Sequence, residues 1–209
     1  MENYTAAQFT AIQNIYSYFN GQLFNGQLNN CLLNFSRKSK AMGFFAPCRW
    51  GKDGEKSTIH EISLNPEFLK MGVQETLQTL LHEMCHLWQQ DFGKATAGYH
   101  NKQWAEKMQS VGLMPSTTGA EGGKTIGKGM SDYAIEGGVF LKVVAKMPKS
   151  YLYPFVCMAE VEKGKKASKS KNKTKYTCSG CSTNIWGKDG LVITCNDCDT
   201  LFQTESNEA

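Results

Sequence analysis

The sequence has no run of about 18 apolar residues, the length that a membrane-spanning helix needs, so no membrane span is predicted. Residues 1–5 lack the basic start and apolar core of a secretory signal. We therefore expect a cytoplasmic protein without a membrane partner. The net charge of +4 is weak evidence for an anionic partner, because so small an excess creates little long-range attraction.

The eight cysteines do not have the layout of a disulfide framework. Four of them form two C-x-x-C pairs near the C-terminus, while Cys31, Cys48, Cys85 and Cys157 are scattered. This layout favours reduced, metal-binding cysteines in an intracellular protein.

Histidine is scarce, with 4 in 209 residues, yet two of them fall in one H-E-x-x-H pattern formed by His82, Glu83 and His86. On an α-helix the two histidines are one turn apart and project from the same face. Glu83 lies about 100° further round, where it can reach a water on the metal but is poorly placed to be a ligand. The pattern is typical of a zinc hydrolase, in which imidazoles hold Zn²⁺ and the carboxylate takes a proton from the attacking water.

The residues around this pattern support the helix. A single histidine could be a satisfied core residue, but two at this spacing around a glutamate argue against that alternative. Apolar side chains also fall on the half of the helix opposite the histidines, which gives the helix a buried side: Leu77, Leu80, Leu81, Met84, Leu87 and Trp88.

The rest of the N-terminal half predicts an α+β domain. Residues 5–8 resemble a capping box, and the apolar spacing after them predicts a helix that ends near Gly21. Asn65 and Pro66 provide an N-cap and a first-turn proline for a helical region that continues through the H-E-x-x-H pattern and ends near Gly93. Three short apolar or β-branched segments predict a small, mostly antiparallel sheet: 31–35, 41–46 and 59–64.

A third zinc ligand has two histidine candidates. His60 lies in a predicted strand, where a solvated or packed side chain is the simpler interpretation. His100 follows His86 by 14 residues and precedes an amphipathic stretch, so a loop could return it to the first two histidines. We assign His100 over a capping or surface role, because catalytic zinc usually has three protein ligands.

Five stretches together resemble the SprT-like metalloprotease domain, the class that includes the Spartan proteases. They are residues 19–24, 41–44, 61–64, 80–86 and His100. The resemblance spans about residues 5–115 and implies a zincin-like fold, zinc ligands at His82, His86 and His100, and a catalytic Glu83. Asn101 stands where the family often has glycine; asparagine can also adopt left-handed backbone angles. The resemblance further implies a DNA-associated protease, and Spartan-type members degrade proteins crosslinked to DNA.

The segments after this domain are less regular. Residues 116–130 are rich in Gly, Thr and Lys, which favours a mobile loop, with substrate contact as the alternative. Residues 139–144 and 151–156 are interpreted as two further strands. Residues 163–175 carry seven lysines among small polar residues and predict a flexible tether, either a solvated linker or a phosphate contact.

The C-terminal cysteines predict a zinc ribbon. The two pairs, separated by 13 residues, have the spacing of a structural Cys₄ site, and so short a unit needs its metal to fold: Cys178, Cys181, Cys195 and Cys198. A redox role is the competing interpretation, but no thioredoxin-like βαβ pattern surrounds them. Tyr176 and Trp186 could stack on unpaired bases, which would favour single-stranded DNA, or could form the core of the ribbon.

The sequence therefore predicts a protease domain over residues 1–115, a Gly-rich loop with additional strands over 116–162, a tether over 163–175 and a ribbon over 176–204. One catalytic and one structural Zn²⁺ are the expected cofactors, and protein substrates and DNA are the expected partners. The rival hypothesis is a nucleic-acid-binding regulator that uses the ribbon and keeps the protease-like domain as a scaffold. Glu83 argues against it, because a scaffold has no need of that carboxylate.

Overall fold

A computed structural model describes residues 2–37, 41–158 and 173–204 of the chain. It divides into two units, Met1–Ala159 and Glu160–Ala209. Among the described residues, no helix is long and apolar enough to cross a membrane. Most of the predicted tether lies outside the described residues. Lys175 is described and belongs to a strand, Thr174–Cys178, so the tether prediction extended too far at its C-terminal end.

Helix α1, Tyr4–Leu23, forms one side of the first unit. Its apolar positions recur at helical spacing, and Ile12, Ile15 and Phe19 are buried in the core, as the spacing predicts. The predicted capping box is wrong by two residues, since Asn3 is the N-cap and its side chain accepts a hydrogen bond from the backbone N–H of Ala6 at 3.0 Å.

Three strands form the sheet beside the helices: β1 (Leu32–Phe35), β2 (Gly43–Gly51) and β3 (Thr58–Leu64). Their order is β1-β3-β2. The β2–β3 pair is antiparallel as predicted, but β1 and β3 are parallel, which corrects part of the prediction. The chain therefore runs from β1 at one edge of the sheet to β2 at the other edge, and then back to β3 in the centre. Local sequence patterns do not predict this strand order.

The second helical region is interrupted once. A 3₁₀ helix, Pro66–Met71, begins after Asn65, whose side chain accepts from the backbone N–H of Glu67 at 3.1 Å. Gly72, with φ of 144°, separates it from helix α2, Val73–Phe92, which ends where the sequence predicts. The predicted apolar side of α2 is confirmed, because Leu77, Leu80, Leu81, Met84 and Leu87 are all buried.

Helix α3, Lys102–Ser110, follows α2 and has Asn101 as its N-cap. The Asn101 side chain accepts a hydrogen bond from the backbone N–H of Trp104 at 3.1 Å, and its φ is −86°. Asn101 is therefore an N-cap with ordinary backbone angles, which makes the left-handed conformation considered for it unnecessary.

A β-hairpin follows α3. Strand β4 (Leu113–Ser116) pairs antiparallel with β5 (Ser131–Ala134), so the Gly-rich residues predicted as a mobile loop are the connection of this hairpin. That connection has internal hydrogen bonds, including Thr117 N–H to the Lys124 carbonyl at 3.0 Å.

The strands predicted over 139–144 and 151–156 are wrong. Helix α4 spans Val139–Lys146, and a 3₁₀ helix spans Lys149–Tyr151. The valines favour a strand locally, but Phe140 and Val143 are buried one turn apart, and the Phe140 ring lies 6.1 Å from that of Phe19. Packing against α1 therefore overrides the local preference.

The second unit is a four-stranded sheet in the order β7-β6-β9-β8. The strands are β6 (Thr174–Cys178), β7 (Asn184–Gly187), β8 (Thr194–Cys195) and β9 (Thr200–Thr204). Tyr176 is the buried aromatic residue of this unit; its hydroxyl donates to the Lys188 carbonyl at 2.5 Å and accepts from the Leu191 N–H at 2.9 Å.

Candidate metal centres

Three histidines converge in the first unit. His82 and His86 project from α2, and His100 lies just before α3, where its backbone pairs with that of Gly127. One ring nitrogen from each histidine lies within 4.8 Å of the others. The structure thus brings together the three histidines that the sequence analysis selected, and their role as zinc ligands stays a prediction.

His60 is not part of this cluster. Its Nδ1 accepts a hydrogen bond from the backbone N–H of Cys48 at 2.8 Å, and its Nε2 lies 3.0 Å from Asp91 Oδ1. Since Nδ1 accepts, Nε2 must carry the proton and donate it to the carboxylate. Both ring nitrogens are therefore engaged, which agrees with the packed role considered from the sequence.

Hydrogen bonds orient two of the three clustered imidazoles. Nδ1 of His82 lies 2.9 Å from Asp132 Oδ2, and Nδ1 of His100 lies 3.1 Å from the Gly127 carbonyl oxygen. A carbonyl can only accept, so Nδ1 of His100 carries the proton and Nε2 keeps a free lone pair. Metal-binding histidines in proteins are commonly held in this way.

The pKa values of the clustered histidines favour neutral imidazoles, which can bind a metal cation. Burial, together with the neighbouring His82 and His100, lowers the pKa of His86 to about 2. Burial and His82 also lower the pKa of His100. Burial lowers the pKa of His82 as well, but the hydrogen bond to Asp132 and the charges of Glu83 and Asp132 outweigh it, so this pKa is raised overall. At neutral pH at least two imidazoles are consequently neutral and can donate lone pairs.

Aromatic rings line the cluster. Trp104, on α3 and one turn after His100, is fully buried, and its ring centroid lies 4.9, 5.1 and 4.4 Å from those of His82, His86 and His100. Phe45 of β2 stacks on His86 with centroids 6.5 Å apart. These rings restrict the imidazoles to their positions and limit access of water from their side.

Glu83 is buried on α2 between the two histidines, with 6% of its surface exposed. It is close enough to His82 for its charge to contribute to the raised pKa of that imidazole. A carboxylate in this position can accept a proton from a water that a metal ion activates.

Two residues of this site were missed by the sequence analysis. Asp132 lies 50 residues after His82, and no spacing rule connects the two. Trp104 belongs to the amphipathic stretch that follows His100, and its contact with all three histidine rings depends on the packing of α3 against α2, which the spacing does not predict.

The four C-terminal cysteines form a second cluster, in which the sulfur atoms lie within 4.8 Å of one another. The Sγ atoms of Cys181 and Cys195 are 3.8 Å apart. Tetrahedral Zn–S bonds of about 2.3 Å give an S···S distance of about 3.8 Å, so the spacing fits the ion. Gly180 makes the tight approach possible, because a Cβ there would lie 2.7 Å from Cys198 Cβ.

The thiols of this cluster differ in acidity. Hydrogen bonding with Thr200 and backbone N–H groups lowers the pKa of Cys178 to about 6. The neighbouring Cys181 raises the pKa of Cys198 to about 12. A cation held between the four sulfur atoms would favour their thiolate forms, which is what a structural zinc ion does.

Comparison with protein families identifies the first unit. The model of the SprT-like family matches residues 12–121, more than half of the chain. The chain belongs to the SprT-like family. The SprT-like match contains His82, Glu83, His86 and His100 and ends before Asp132 and the cysteine cluster. No curated protein and no solved structure matches the chain, so the zincin-like architecture expected from the sequence stays a prediction.

Proposed function

We propose that this SprT-like protein is a zinc metalloendopeptidase in which His82, His86 and His100 hold the ion and Glu83 is the general base. The observation that carries the proposal is the convergence of three imidazoles from separate parts of the chain, next to a buried glutamate. Membership of the SprT-like family supports the same assignment.

Each residue has a defined role in this proposal. His82, His86 and His100 would hold the zinc ion, which would supply Lewis-acid polarisation of the scissile carbonyl. Glu83 accepts a proton from the water that attacks the carbonyl carbon, and it can return that proton to the leaving amine. Trp104 and Phe45 hold the imidazoles in place through ring contacts.

The position of β2 supports a polypeptide substrate. This strand lies at an edge of the described three-stranded sheet, and its Phe45 ring contacts the ring of His86. An extended peptide that adds to a sheet edge is held by main-chain hydrogen bonds, which do not depend on its sequence. A peptide beside β2 would therefore pass close to the histidine cluster.

We further propose that the C-terminal unit is a zinc ribbon that contacts DNA. Of the two aromatic residues considered from the sequence, Tyr176 is buried, whereas Trp186 is 61% exposed and lies opposite Lys175 in the β6–β7 pair. An exposed indole beside a lysine supports stacking on an unpaired base, with nearby attraction to phosphate. Proteins crosslinked to DNA are then the substrates that the family resemblance implies.

The direct test is metal-dependent proteolysis by the full chain. An unfolded, fluorescently labelled protein should be cleaved, a chelator should abolish the cleavage, and added Zn²⁺ should restore it. A Cys195→Ser variant serves as the control for zinc loss from the ribbon, because it should keep metal-dependent cleavage of a substrate free of DNA. Cleavage that persists in chelator, or none under any condition, would contradict the proposal.

A further inference from the structure

We propose that Asp132 is a positioning residue of the histidine site, which fixes the orientation and tautomer of His82 and thereby raises the affinity of the site for zinc. The inference rests on the proposed zinc site. It concerns metal affinity, however, so it can be tested whether or not the protein cleaves peptides.

The contact between Asp132 and His82 is short and sheltered. Oδ2 lies 2.9 Å from Nδ1 of His82, and only 12% of the histidine side chain and 10% of the aspartate side chain are exposed. The other carboxylate oxygen, Oδ1, accepts from Nε2 of Gln78 at 3.4 Å. Gln78 and His82 are one turn apart on α2, so the carboxylate spans two side chains of the same helix face.

This contact has a chemical consequence at the opposite ring nitrogen. An ionised carboxylate can only accept, so it keeps the imidazole proton at Nδ1 and leaves Nε2 with its lone pair available. The negative charge also increases the basicity of the ring and favours a nearby cation. A rotated or wrongly protonated His82 would have to reorganise before binding zinc.

The β4–β5 hairpin places Asp132 and also holds His100. Asp132 is paired with Pro115 in the hairpin ladder, and the connection of the hairpin supplies the Gly127 carbonyl that accepts from Nδ1 of His100. One element outside the H-E-x-x-H helix therefore orients two of the three histidines. The alternative is that Asp132 only ties the hairpin to α2 and contributes to stability without affecting the metal.

Chelator competition on the full chain separates these two roles. Zinc retained per chain is measured after dialysis against increasing chelator concentrations, with the ribbon zinc as an internal standard in each sample. Asp132→Asn keeps the shape of the side chain but loses its charge, and it should release the histidine-site zinc at about tenfold lower chelator concentration; Asp132→Ala should do so at about 100-fold lower concentration. Asp53→Asn, in the turn after β2, is the matched control and should behave as wild type.

The tautomer gives a second readout that a purely structural role would not change. Nitrogen-15 NMR of the imidazoles should place the His82 proton at Nδ1 in the zinc-loaded wild type, and this signal should shift or broaden in Asp132→Asn. Asp132→Asn with wild-type zinc retention and an unchanged His82 tautomer would overturn the proposal. If Asp132→Ala fails to fold, the asparagine variant still decides between the two outcomes.

Discussion

At the scale of single residues, His60 and His100 are the histidines outside the H-E-x-x-H pattern, and they occupy different surroundings. His100 faces His82 and His86 with ring centroids 5.6 and 4.8 Å away, whereas both nitrogens of His60 are engaged by Cys48 and Asp91. Metal analysis should therefore give about two zinc ions per chain for wild type and His60→Ala, and about one for His100→Ala.

The opposite result in the same experiment would contradict the assignment of His100 as the third ligand. Retention of two ions by His100→Ala together with loss of one by His60→Ala would reverse the assignment of the third ligand. The full chain is required, because a fragment ending near residue 115 would lack Gly127 and Asp132, which hold two of the imidazoles.

The spacing of His82 and His86 can be recognised from the sequence, because helix geometry alone puts them on a common face, with Glu83 about 100° further round. The choice of His100 needed only the assumption of three ligands and a returning loop. Asp132 could not be predicted, since its contact with His82 depends on the register of a hairpin that forms 50 residues later in the chain.

At the scale of elements, Gly112, which follows α3, allows the start of α4 to pack closely against it. Its φ is 91°, and a Cβ there would lie 2.5 Å from the backbone nitrogen of Phe140. Gly112→Ala should therefore destabilise the protein by about 2–4 kcal/mol, from backbone strain and the displacement of α4.

Gly21 provides the matched control for this prediction. It lies within α1, and a Cβ there would meet no atom within 4 Å. Gly21→Ala should be neutral or stabilising by up to about 1 kcal/mol, because alanine loses less backbone entropy in a helix. Urea denaturation followed by circular dichroism measures both variants; equal stability of the two would show that Gly112 has no special role.

Elements with a strong local period were predictable, and those decided by tertiary contacts were not. Helices α1 and α2 follow from their apolar spacing, and the approximate positions of β1 to β3 follow from their composition. The parallel β1–β3 pair and helix α4 were missed, since strand order and the packing of Phe140 on Phe19 arise from distant parts of the chain.

At the scale of the whole molecule, the ribbon is proposed to give a metallopeptidase its attachment to DNA. Trp186→Ala should weaken binding of single-stranded DNA about tenfold, through loss of base stacking, and should affect duplex DNA less. Val192→Ala is the control, because Val192 is 85% exposed on the same unit and should be neutral. Fluorescence titrations at several salt concentrations measure the affinities; unchanged binding by Trp186→Ala would favour a protein partner for the ribbon instead.

In the proposed mechanism Glu83 accepts a proton during zinc-dependent hydrolysis, and Glu83→Gln removes that capacity. The amide has almost the shape of the carboxylate but cannot accept the proton, so the variant should fold, retain about two zinc ions per chain and lose activity by about 10²–10⁴-fold. Zinc content and the cleavage rate of an unfolded protein are measured on the same preparations of wild type and variant. A fully zinc-loaded Glu83→Gln protein that cleaves within tenfold of the wild-type rate would contradict the account.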